Sequence, residues 1–208
     1  MTDPAIPAWL TLALRLADAG LIQFGRFSQP DGSIWPVQVH LDWLPSYPAL
    51  LRDVAAALAD LLGGQPADRL LTTPTTIPLG TALSLHTGLP MTYARWSAPD
   101  RSPAIEGAYD VGHPTVLLSD VLTDAEHARQ LIGLAHHVGL DVHSVLVTLD
   151  LGLGAHRQLQ AEGYRVLRLM ALPDLLDSLA ERGHITTSLC TALRRWLDDP
   201  QEFATEKP

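Results

Sequence analysis

The sequence predicts an α/β fold in which a central, mostly parallel sheet is flanked by helices and preceded by an N-terminal helix and a hairpin hood. Three observations lead there. From residue 69 onward short apolar runs alternate with stretches at helical spacing, the pattern of a parallel sheet covered by helices. The runs 115–118 and 145–147 are almost uninterrupted in apolar character, as strands buried on both faces must be. Ahead of them, Pro30, Asp31 and Gly32 separate two strand-like runs, which is turn chemistry joining a hairpin.

Each element follows in order. Trp9, Leu10, Leu12, Leu14 and Leu16 recur at the period of an amphipathic helix, and Gly20 stops it. The hairpin occupies residues 21–43. An alanine- and leucine-rich helix over 47–62 is closed by Gly63 and Gly64. Strand-like runs at 69–72, 91–95, 115–118, 142–149 and 166–170 then alternate with helical stretches at 79–86, 125–138 and 156–162. Helices over 172–180 and 187–197 close the fold, and the tail from 200 to 208 is expected to be disordered. Residues 1–45 form the hood in this reading, and residues 46–199 the core with its C-terminal helices.

Composition narrows the function. With 208 residues and 47% hydrophobic content the chain can bury a full core. A net charge of -9 argues against nucleic acid and membrane surfaces, which recruit basic faces. No apolar run approaches the roughly 20 residues of a membrane span, and the first residues lack the basic start of a signal peptide, so a cytoplasmic protein is expected. The single cysteine, Cys190, lies in an apolar helical stretch and reads as a packed small hydrophobe. Thirteen of the 14 cationic side chains are arginine and the remaining one is Lys207, which excludes any mechanism that needs a lysine within the fold.

In open parallel sheets ligands settle beyond the carboxyl ends of strands. The segment after the most buried run is Ser119 to His127. Residues 116–128, VLLSDVLTDAEHA, resemble the phosphoribosyl diphosphate signature of type I phosphoribosyltransferases, with apolar strand residues, acids, and a loop entering a helix. Asp120 stands at the second acid, which in that family lies by the ribose hydroxyls, and Thr123 at the first threonine of the phosphate loop. Ser119 replaces the first acid, while Asp124, Ala125, Glu126 and His127 replace the rest of the loop. Such loops hold phosphate with backbone amides, hydroxyls and a helix N-terminus. A carboxylate about 4 Å from a phosphate charge costs about 1 kcal/mol in water and about 4 kcal/mol at a near-surface effective dielectric. The plain reading is that acids favour the first turn of any helix, although this does not account for the lost glycines.

The resemblance extends from residue 21 to 185 and is to orotate phosphoribosyltransferases in particular. FGRFSQPDGSIWP at 24–36 is similar to the family's N-terminal hairpin through Phe24, Gly25, Phe27, Gly32 and Pro36; its orotate-holding lysine is matched by Pro30. TTPTTIPLGTALSLHTGLP at 72–90 is similar to the pyrophosphate loop and its helix, with Thr75 at the lysine position and Thr76 beside it. TYARWSAPDRSPAIEG at 92–107 resembles the mobile catalytic loop that reaches into a partner subunit's site, with Arg95, Asp100, Ile105, Glu106 and Gly107 retained, Trp96 and Pro99 at its lysines, and Arg101 at its histidine.

The resemblance implies a type I phosphoribosyltransferase fold, a homodimer and a nucleotide-like small-molecule ligand. It implies catalytic roles for Asp120, Arg95 and Arg101 if the protein turns over, with Ser119, Thr123, Asp124, His127, Thr75, Thr76 and Asp100 in ligand binding. No protein-built metal site is expected; magnesium would arrive with phosphoribosyl diphosphate and meet Asp120 through that ligand. Because lysines and phosphate-loop glycines are replaced together, the sequence predicts a homologue that has lost ordinary catalysis and serves as a ligand-binding, regulatory or structural protein. The alternative is an active orotate phosphoribosyltransferase, forming orotidine 5′-monophosphate and pyrophosphate.

Other constellations read as structural. His136 and His137 point about 100° apart on a helix and His127 lies off their face, which does not suit a metal. Trp35, Trp43 and Trp96 could stack on a base but suit packing better. Asp150, Gly152 and Gly154 match the family's loop after the next strand, which shapes the site.

Overall fold

The computed structural model describes residues 7–29, 32–95 and 103–200. Helix α1 (Ala8–Asp18) leads into a two-stranded antiparallel hairpin, β1 (Ile22–Ser28) and β2 (Ile34–Val39). A 3-10 helix (Leu41–Ser46) and α2 (Pro48–Leu62) follow. The core then runs β3 (Arg69–Thr72), a 3-10 turn (Pro74–Thr76), α3 (Ile77–Thr87), β4 (Met91–Arg95), β5 (Ala104–Glu106), β6 (Pro114–Leu122), α4 (Ala125–His137), β7 (Asp141–Asp150), α5 (Ala155–Ala161), β8 (Arg165–Ala171), α6 (Leu172–Glu181) and α7 (Thr187–Asp198). Among the described residues the main sheet has six strands in the order β5-β4-β3-β6-β7-β8. All neighbours are parallel except β4 and β5, which pair antiparallel. The expected α/β architecture, a mostly parallel sheet flanked by helices, is present.

Burial explains the strand assignments. Val116, Leu117 and Leu118 of β6 and Val145, Leu146 and Val147 of β7 are wholly buried, because helices cover both faces of the sheet. One apolar cluster joins α1, the hairpin, α2 and the C-terminal helices to one face, through Leu16, Val37, Leu58, Leu175 and Trp196. The other face is sealed by Leu131 and Ile132 of α4 and Leu159 of α5. Cys190 is buried in the first of these clusters, a packed residue of α7. Helix α3 sits so close to the sheet that a Cβ at Gly80 would fall 2.5 Å from Thr72 Cγ2, so the absence of a side chain there sets the depth at which the Thr73–Thr76 segment leaves β3.

Three boundaries differ from the sequence reading. Residues 41–43 belong to the 3-10 helix, not to the hairpin, with Pro45 inside it. The short strand β5 is formed by residues whose three-residue length gives no period to detect. Strand β6 continues through Leu122 because β7 stays paired with it as far as Leu122↔Asp150. Ser119 and Asp120 are therefore strand residues, and the connection to α4 is shorter than expected. The Pro30-Asp31 turn, Trp96, Pro99, Asp100, Arg101 and the tail from 201 lie outside the described residues. Among the described residues no helix is long and apolar enough to cross a membrane.

Candidate functional site

The chain leaves β3 to build α3 and β4 on one side of the sheet, and leaves β6 to build α4 and β7 on the other. The carboxyl ends of these two adjacent strands thus flank a topological switch point, where the connecting segments diverge and open a crevice. Two segments predicted to bind ligand emerge there, Thr73 to Thr76 and Ser119 to His127.

After β3, Thr73 caps the following turn. Its Oγ1 accepts from the Thr76 backbone N–H at 3.3 Å, while the Thr73 N–H donates to Thr76 Oγ1 at 2.9 Å, a reciprocal capping box. Thr76 is turned inward, with 1% of its surface exposed. Thr75 is exposed, its hydroxyl 2.8 Å from Thr73 Oγ1, and of the predicted pair it is the one that faces solvent.

At the carboxyl end of β6 the side chains alternate along the strand. Ser119 Oγ donates to the Val121 carbonyl at 3.1 Å, and Asp120 Oδ1 accepts from the Val121 N–H at 2.8 Å. Burial pushes the Asp120 carboxyl above its ordinary range; the Val121 amide opposes this, while the negative charge of Asp42 adds to it and His127 subtracts from it. Asp124 is the N-cap of α4: its Oδ1 accepts from the His127 N–H at 3.0 Å and its Oδ2 accepts from the Thr123 hydroxyl at 3.0 Å. The His127 amide is the chief reason that the Asp124 carboxyl lies below the usual range. A side-chain anion thus already meets the helix end and the hydroxyl at the position matched to the phosphate loop.

Two cavities adjoin β6. One, about 210 Å³, is walled by Ser119, Thr123, Asp124 and His127 with Leu117 and Leu131 behind them. The other, about 300 Å³, lies under the hairpin between Trp35, Val37, Gln38 and His40 on one side and Val121, Thr123 and Leu151 on the other. Val121 and Thr123 border both. The structure therefore brings Ser119, Thr123, Asp124 and His127 together. It does not bring Arg95 to them: Arg95 ends β4, two strand spacings or about 10 Å from β6, and its Nε donates to Glu106 Oε1 at 2.7 Å across the β4–β5 pair. Arg95 Nη1 is buried without a partner among the described residues.

The hairpin cavity contains residues not singled out in the sequence. Gln29, Gln38, His40 and Leu151 line it. The signal available was proximity in sequence to the matched hairpin motif. Trp35 is both wall and packing residue, since its ring meets Trp196 at 5.4 Å between centroids. Trp43 is half exposed and stacks on His40 at 3.9 Å with 7° between planes.

Behind Leu151, Asp150 is wholly buried. Its Oδ2 lies 3.0 Å from Arg168 Nη1 and 2.9 Å from His156 Nδ1, and its Oδ1 accepts from the Gly152 N–H. Arg168, His156 and the Gly152 amide around one buried carboxylate hold the loop after β7 in place. No three metal-ligating side chains converge among the described residues.

The chain is 30% identical to the orotate phosphoribosyltransferase of Halobacterium salinarum over 182 residues, which are 81% of this chain and 96% of that protein. It is 28% identical over 185 residues to the bifunctional enzyme PyrF/PyrE of a Nostoc strain, covering 88% of this chain and 39% of that one. Among solved structures, Leishmania donovani UMP synthase superposes with a TM-score of 0.84 at 30% identity, over 92% of this chain and 42% of that one. No family model matches the sequence. The chain spans about two fifths of the Nostoc and Leishmania proteins and nearly the whole of the Halobacterium protein.

Proposed function

The chain belongs to the orotate phosphoribosyltransferase family, and from that premise we propose that it transfers the phosphoribosyl group of phosphoribosyl diphosphate to orotate. The single observation that carries this reading is the pair of cavities at the end of β6: Ser119 and Thr123 border one of about 210 Å³, and Thr123 and Val121 border a second of about 300 Å³ under the hairpin. The ribosyl phosphate would lie in the first and the ring in the second.

The reaction balances simply. A ring nitrogen of orotate forms a bond to C1 of the ribose, the bond from C1 to the pyrophosphate oxygen breaks, and pyrophosphate departs with the bonding pair; the proton of the ring N–H goes to solvent. Asp120 would accept hydrogen bonds from the ribose hydroxyls and so fix C1 toward the ring. Thr75, exposed beside the crevice, would donate to the pyrophosphate, and Ser119, whose hydroxyl donates to the Val121 carbonyl, would accept from or pack against the ligand beside Asp120. Arg95 and Arg101 would supply the cationic side of the leaving-group site and Asp100 would join them in binding, since stabilising charge that develops in the transition state is the largest contribution of such sites. Magnesium, when bound with the diphosphate, supplies further charge neutralisation. We place the protein in the cytoplasm as a homodimer; the support is its likeness to a family whose mobile loop crosses to a partner subunit.

A second reading is favoured by one specific observation. Asp124 already accepts the His127 amide and the Thr123 hydroxyl, the groups a 5′-phosphate would engage, and this supports a ligand-binding, regulatory or structural homologue without turnover. Titration of phosphoribosyl diphosphate with magnesium by calorimetry, followed by an orotate-consumption assay on the same preparation, separates the two. Turnover that falls about a hundredfold or more in Asp120→Asn supports the transferase. Binding without turnover supports the second reading, and absence of both binding and turnover defeats the first.

A further inference from the structure

The cavity under the hairpin is neutral almost throughout. Its walls are apolar at Trp35, Val37 and Leu151 and carry uncharged polar groups at Gln29, Gln38 and Thr123; among the described lining residues His40 alone can bear a positive charge. Its surroundings are acidic. Asp42 lies two residues beyond His40 and near enough to Asp120 to act on its ionisation, and Asp124 caps the neighbouring helix. An anionic substituent on a ring in this cavity would meet repulsion along the β6 side and, among the described lining residues, would find a counter-charge only at His40.

His40 is built for that task. Its imidazole lies flat on the indole of Trp43, 3.9 Å between centroids and 7° between planes. An aromatic face favours a cation placed over it, and the stack fixes the plane in which the ring N–H groups point. Its backbone is held as well, the His40 N–H donating to the Leu21 carbonyl at 2.8 Å at the end of the hairpin. A cation-capable donor with fixed orientation at the rim of a neutral, ring-sized cavity is a device for reading charge on the ring.

We propose that His40 binds the carboxylate of an acidic pyrimidine and thereby distinguishes it from the uncharged ring. The inference rests on the reading that a pyrimidine occupies this cavity. Orotidine 5′-monophosphate and uridine 5′-monophosphate differ only in that carboxylate, so each is titrated by calorimetry into the parent protein, His40→Gln and His40→Arg. The parent should bind the acidic nucleotide more tightly. His40→Gln should weaken it about tenfold, the loss of roughly one charge-assisted hydrogen bond, with the uridine nucleotide unchanged, and His40→Arg should keep the preference. Equal weakening of both nucleotides in His40→Gln would mean that the stack only shapes the cavity, and would overturn the proposal, as would equal binding of both by the parent. Binding of neither nucleotide to the parent would defeat the underlying reading, a different result from loss of discrimination.

Discussion

At the scale of single residues, two carboxylates four positions apart carry opposite shifts. Asp120 is raised by burial and Asp124 is lowered chiefly by the His127 amide. For Asp124 the folded-state value lies below its ordinary 3.8, so its stabilisation is present above that value and is lost as pH falls through the lower folded-state value. Asp120 has the opposite sign: its contribution favours folding below the ordinary range and is lost as pH rises through the raised value. Asp124→Ala should therefore cost about 1 kcal/mol at neutral pH, the usual loss of an N-cap, and the difference from the parent should shrink in strongly acidic solution, as read by urea unfolding at several pH values. The same variant should bind inorganic phosphate more tightly, because the helix end is released. Both acids were visible in the sequence, but the role of Asp124 as an occupied cap was not. A helix-favouring acid and a phosphate-excluding acid look alike until the hydrogen bonds to Thr123 and His127 are known.

At the scale of elements, the loop between β7 and α5 shows how local backbone shapes the ring site. Gly152 has φ +81°, and a Cβ there would fall 2.5 Å from Pro173 Cγ. The left-handed backbone and the close approach of α6 both require glycine, and its N–H holds Asp150. Gly152→Ala should cost on the order of 1–3 kcal/mol and displace Leu151, weakening nucleotide binding; thermal unfolding and calorimetry on the same sample check both. Gly152 and Asp150 were legible because they matched a motif, and the long strands were legible because their apolar runs are almost uninterrupted. Strand β5 was not, because its three residues owe their conformation to pairing with β4. The end of β6 was also misplaced, since the polar Ser119 is held in the strand by pairing with Val147 of β7 and Asp120 lies between it and the next paired residue, Val121, a tertiary cause with no local signature.

At the scale of the whole molecule, the hood and the last helix depend on each other. Trp196 of α7 is wholly buried and meets Trp35 of β2, which walls the hairpin cavity. Trp196→Ala should cost roughly 3–5 kcal/mol and lower affinity for a pyrimidine nucleotide, because the wall loses its backing; denaturant unfolding and nucleotide titration measure the two effects. The architecture of sheet and helices could be read from periodicity, whereas this contact could not, since nothing in the period of either segment names its distant partner. The contact has an optical side as well. One indole walls the cavity, a second is packed against it, and a third lies beneath His40, so the tryptophan emission of the folded protein should change when a ligand enters the hood, a shift that a fluorescence titration with nucleotide reads directly. The chain carries its own unlabelled reporter of occupancy.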